Sequence, residues 1–120
     1  MNTIVKNDQS FVVIGKENKI DSVQDILDMM ASARYFCDCS GIIINKESLN
    51  DDFFDLKTRF AGEILQKFSN YRMRLAIIGD FSIYTSKSLK DFIRESNNGN
   101  LVFFKNDIEK ALESISLQKS

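Results

Sequence analysis

Histidine, proline and tryptophan are absent from this chain, cysteine is reduced to two residues and glycine to five. Without histidine, the usual base for a serine or cysteine nucleophile is missing, and so is the commonest nitrogen ligand of a metal. Without proline or a Gly/Ser-rich stretch, nothing marks an internal boundary, so residues 1–120 are read as one domain. Sixteen Lys and Arg against 17 Asp and Glu leave a net charge of −1, and no basic run stands out. The positive surplus of a nucleic-acid binder is therefore lacking, and no nucleic-acid partner is expected. The longest apolar runs, such as Ile42–Ile44 and Leu75–Ile78, fall far below the ~18 residues of a membrane span. Met1–Gln9 is polar and has no leader-like apolar stretch. The chain is read as soluble, cytoplasmic and free of the membrane.

The two cysteines stand as Cys37-Asp38-Cys39 ahead of an apolar run. With no histidine and no third cysteine, they are too few for a zinc site. On an extended backbone a disulfide between positions two apart is strained. They are read as reduced thiols at a loop-strand junction, with a thiol sensor as the alternative.

What is present is an ordinary globular alternation. Thr3–Lys6 and Phe11–Gly15 read as short strands joined through Asn7-Asp8-Gln9-Ser10. Asp21 or Ser22 caps a helix bearing Val23, Ile26, Leu27 and Met30 on one face. Gly41–Ile44 is a strand buried on both faces, and Leu75–Gly79 is another. Between them Asn50, Asp51 or Asp52 opens a helix with Phe53, Leu56, Phe60, Ile64, Leu65 and Phe68 at helical spacing. Ser86 opens the next helix, which Asn97-Asn98-Gly99 stops. Leu101–Phe104 is the last strand, and Asn106 with Glu109 forms a capping box for a final helix. The order β-β-α-β-α-β-α-β-α predicts an α/β fold with a mixed, mostly parallel sheet of about five strands and about four helices.

In such sheets ligands gather beyond the carboxyl ends of the strands. Those ends carry Asn45, Lys46 and Glu47, then Asp80, Ser82, Tyr84 and Thr85, then Lys105 and Asn106. Acids at the central helix invite a Mg²⁺ or phosphoryl-transfer idea. Caps and dipole partners account for Asp51, Asp52 and Asp55 without it. Neither a phosphate-binding P-loop nor a dinucleotide fingerprint is present, and Thr85-Ser86 at a helix start is a weak anion signal. The reading therefore names no catalytic residue, metal or cofactor and leans away from an enzyme. Within the central helix, Glu63 and Lys67 are read as an i,i+4 pair on a solvated face. Gly62 is read as a point of close packing, chiefly inside the fold.

Asp52–Thr58 with Ala61–Phe68, Leu75–Ser82 and Thr85–Ile93 resemble a bacterial family known as domain of unknown function 4180. That resemblance covers nearly the whole chain and implies no activity. The element order also resembles the STAS (sulfate transporter and anti-sigma antagonist) domain. Regulatory STAS members carry a phosphorylatable serine in an Asp-Ser-Ser-Gly-like turn where the central helix begins. The matching stretch here, Asp55-Leu56-Lys57-Thr58, keeps the Asp and puts Leu56 in the place of the serine. Ser48 and Thr58 are nearby hydroxyls outside that motif, so a kinase-regulated anti-sigma antagonist is not implied.

The expectation is a non-enzymatic interaction or regulatory module, presenting the central helix to a protein partner or a second copy. The alternative is a small-molecule or nucleotide-binding protein with a pocket at the strand ends. Its candidate residues are Asn45, Lys46, Asp55, Lys57, Thr58, Asp80, Ser82, Thr85, Ser86 and Lys105.

Overall fold

The computed structural model describes residues 2–116. Strands β1 (Asn2–Lys6) and β2 (Gln9–Ile14) open the chain. Asn7 and Asp8 between them hold positive φ, 54° and 64°, the backbone of a two-residue hairpin whose twist matches its strands. The turn is tighter than expected, because Gln9 and Ser10 already pair with Lys6 and Val5. There follow α1 (Val23–Cys37), β3 (Gly41–Asn45), α2 (Phe60–Asn70), β4 (Arg74–Ile78), α3 (Lys87–Asn97), β5 (Val102–Lys105) and α4 (Ile108–Ile115). The sheet runs β1-β2-β3-β4-β5, with β1 antiparallel to β2 and every later pair parallel. This is the mixed, mostly parallel five-stranded α/β fold that the residue pattern implied.

Strand order decides where the helices go. Parallel crossovers are right-handed, and here all three step the same way along the sheet, so all three helices fall on one face. Ile26 and Met30 of α1, Ile64 and Phe68 of α2, and Phe92 of α3 pack there with Val12, Ile42, Ile44, Leu75, Ile77 and Phe104. The alternate strand residues Phe11, Ile43, Ala76 and Phe103 point to the other face, which α4 covers with Ala111 and Ile115. Ile42, Ile43 and Ile44 are all fully buried, each worth about 1.5–3 kcal/mol on transfer from water. At Gly41 a Cβ would stand 2.6 Å from the Arg74 carbonyl oxygen and 3.0 Å from Ile115 Cδ1. The missing side chain leaves room for the neighbouring β4 backbone and for the Ile115 side chain of α4, which packs mainly over β4 and β5.

Several local expectations are corrected. The central helix does not begin at residues 50–52. Two 3-10 turns, Asp51–Phe54 and Leu56–Thr58, come first. Asn50 Oδ1 accepts from Asp52 N at 2.9 Å, Asp55 Oδ1 from Lys57 N at 3.2 Å, and Thr58 Oγ1 from Phe60 N at 3.2 Å. Each polar side chain takes a backbone N–H that a continuous helix would use, so the ladder starts only at Phe60. Arg59, at φ 64°, makes the bend. The last helix is capped by Asp107, whose Oδ1 accepts from Lys110 N at 2.8 Å, and not by Asn106. Gly62 is exposed, and a Cβ there would meet nothing within 4 Å, so internal packing is not its role. Glu63 and Lys67 form no ion pair, since the described residues hold only Lys87–Asp91 and Arg94–Asp91.

The cysteine reading also changes. Helix α1 runs on to Cys37, and Asp38 turns into left-handed backbone at φ 50° and ψ 46°. The turn brings Cys39 back beside Cys37, and the two sulfurs are joined with Cα atoms 5.1 Å apart, within the ordinary disulfide span. The expectation of separate thiols assumed an extended backbone that the chain does not adopt here.

Candidate functional site

Eight of the ten candidate residues fall into two places, and Thr85 and Ser86 belong to neither. The first is the rim where the parallel strands end. A groove of about 680 Å³ there is lined by Asn45, Asp80, Ser82 and Lys105, with Lys16, Glu47 and Asn106 beside them. Its floor is apolar, formed by Ile78, Phe81, Ile93 and Phe104. Because the strand order never reverses between β2 and β5, no crevice arises from the topology itself. The loop from Gly79 to Ser86, between β4 and α3, and the strand ends make the concavity instead.

Each wall has a local cause. Asn45 Nδ2 donates to the Ile14 carbonyl at 3.1 Å and ties the ends of β2 and β3 together. Ser82 donates its hydroxyl and its backbone N–H to Asp80 Oδ1, at 2.6 and 2.9 Å. Those bonds, aided by the nearby Lys46 charge, hold the Asp80 carboxyl below its usual range. Lys46 lies with its Nζ 5.1 Å from the centre of the Tyr84 ring, a cation–π contact. A Cβ on Gly79 would stand 2.6 Å from Lys46 Cβ, so glycine clears the path of the lysine stem. Tyr84 stacks on Phe54 with ring centres 5.0 Å apart. Burial pushes its phenol above the usual value, against the opposing pull of Lys46.

Lys16, Lys46 and Lys105 stand just past or at the ends of three parallel strands, β2, β3 and β5, and make no ion pair among the described residues. Lys16 was not singled out in the sequence. The signal was available, since once β2 is taken as parallel to β3 its end belongs to the same rim. Among the described residues no group of three His, Cys, Asp or Glu could hold a metal ion.

The second place is the approach to α2. Asp55, Lys57 and Thr58 lie exposed on the 3-10 turns, and the Thr58 hydroxyl lies 2.7 Å from the Asp52 carbonyl oxygen and 2.8 Å from that of Asp55. Beside them a largely apolar opening of about 790 Å³ runs along the exposed side of α2. Val23, Leu56, Ala61, Gly62 and Phe92 line it, with Arg59, Glu63, Gln66 and Lys67 at its border. Thr85 and Ser86 line neither opening. Ser86 Oγ is engaged as the cap of α3, accepting from Leu89 N at 3.2 Å. Ser48 is fully buried and donates to the Gly15 carbonyl at 2.8 Å.

No helix among the described residues is long and apolar enough to cross a membrane. No curated protein and no solved structure matches the chain. Residues 5–115 match the family described as Domain of unknown function (DUF4180). That match spans both the strand-end rim and the α2 face, and the chain belongs to the DUF4180 family.

Proposed function

We propose that this chain is a non-enzymatic cytoplasmic interaction module that offers the exposed side of α2 to a protein partner. One observation carries the reading: the largely apolar opening along α2, lined by exposed Gly62 and by charged side chains of both signs. Apolar centres with polar borders are the usual anatomy of a protein contact. The STAS-like element order supports a regulatory setting, without the serine switch that Leu56 replaces. The test is capture by immobilised protein, wild type against Gly62→Arg. Loss of a specific captured protein in the variant is expected, and equal capture by both would end the reading.

A second reading rests on the rim. Its groove, with an apolar floor and unpaired lysines at its edge, suits a small anionic ligand such as a carboxylate or phosphate ester. A thermal-shift series with inorganic pyrophosphate, citrate and a nucleoside triphosphate tests it. At least one should raise the melting temperature of the wild type and not of Lys16→Met/Lys105→Met, because binding stabilises by RT ln(1 + [L]/Kd). No shift with any of the three, or the same shift in both proteins, would remove it.

A further inference from the structure

We infer that the partner for the α2 face is a second copy of this chain, with the two α2 helices packed antiparallel about a two-fold axis. The inference rests on the first reading above and names its partner. It follows from the order of charges along one face of one helix. Arg59, Gly62, Glu63, Gln66 and Lys67 border the same opening. Glu63 and Lys67 are four residues apart, a spacing at which a helix normally pairs them, yet they form no ion pair among the described residues. Neither charge therefore has an ion-pair partner among the described residues.

An antiparallel neighbour of the same sequence reverses that order. Glu63 of each copy then comes opposite Lys67 of the other, twice over, as an isologous interface requires. A partner of uniform charge would meet an opposed side chain at one of the two positions. The glycine fits the same arrangement. Gly62 lies exposed in the helix interior with open space where its Cβ would be, so a facing helix can approach its backbone closely. The half-exposed Val23, Leu56 and Phe92 supply apolar surface on either side. The two helix dipoles also run in opposite directions.

Light scattering and sedimentation over micromolar to near-millimolar protein test the proposal. Wild type is expected to form a dimer. Glu63→Lys and Lys67→Glu should each weaken it about tenfold or more, since each creates two like-charge pairs. An equimolar mixture of those two variants should regain the dimer, because both cross-pairs become attractive again. Gly62→Leu should abolish the dimer while leaving the circular dichroism spectrum intact, as its side chain projects into open space. A wild type that stays monomeric throughout, or a mixture that recovers nothing, overturns the proposal. A monomer whose capture of another protein still depends on Gly62 would overturn the second copy alone. A monomer without such capture would end the underlying reading as well.

Discussion

Two glycines show how one residue type does opposite work. At Gly41 an added methyl would press on a backbone carbonyl 2.6 Å away, and backbone cannot step aside. At Gly62 it would enter empty space and would only remove the flexibility that glycine brings to a helix interior. Gly41→Ala should therefore destabilise the protein by about 1–3 kcal/mol, and Gly62→Ala should stabilise it by about 1 kcal/mol. Urea unfolding of the two variants reads both signs, and a shared sign would contradict the close approach of β4 at Gly41 or the open space at Gly62. Asp80 gives a second test on this scale. Its folded carboxyl titrates below its unfolded value of about 3.9. The associated stability is thus complete above that pH and is lost as pH falls through the lowered value. Ser82→Ala should raise the Asp80 titration midpoint towards the ordinary range in carboxyl NMR. An unmoved midpoint would mean that the Ser82 hydroxyl bond is not its cause.

Between β3 and α2 the sequence was legible in one respect and misleading in another. Phe60, Ile64 and Phe68 keep a helical phase and are buried, so the buried side of α2 was readable. Where the helix starts was not, because Asn50, Asp55 and Thr58 draw backbone N–H groups away in succession. Asn, Asp and Thr suit a helix start and a non-helical turn equally well, and spacing alone does not separate the two. The same ambiguity put the cap of α4 one residue early, at Asn106 and not Asp107. For Cys37-Asp38-Cys39 the missing information was the left-handed backbone at Asp38, which aspartate adopts more readily than most residues. Arg59 has the same backbone without aspartate's local hydrogen bonding, at φ 64°. Arg59→Gly should therefore stabilise the fold by about 0.5–1 kcal/mol, and Arg59→Ala should not. Thermal unfolding of the pair decides it, and an equal response would show that the bend carries no strain.

Across the whole molecule, the order of elements and the parallel character of the sheet were readable, because short β-branched runs alternating with amphipathic segments admit few other layouts. The grouping of the candidate residues was not. Asn45, Asp80 and Lys105 meet at one groove because β3, β4 and β5 are neighbours in the sheet, and adjacency of strands is not written in any local window. Lys57 and Thr58 sit apart on the turns that lead into α2.

The one-directional sheet also bears on how the chain is made. Each strand from β2 onward pairs with the strand synthesised just before it, so successive units can dock in order as they leave the ribosome. The face that carries Phe11, Ile43, Ala76 and Phe103 has a different history, because its cover, α4, is the last described element to be translated. A chain halted at Asp107 should hold a formed sheet with one naked greasy side. It should bind the dye ANS strongly and aggregate, while the chain of residues 1–120 does neither. A truncated chain that stays dispersed and dark in ANS would mean that the sheet does not assemble until its final helix arrives.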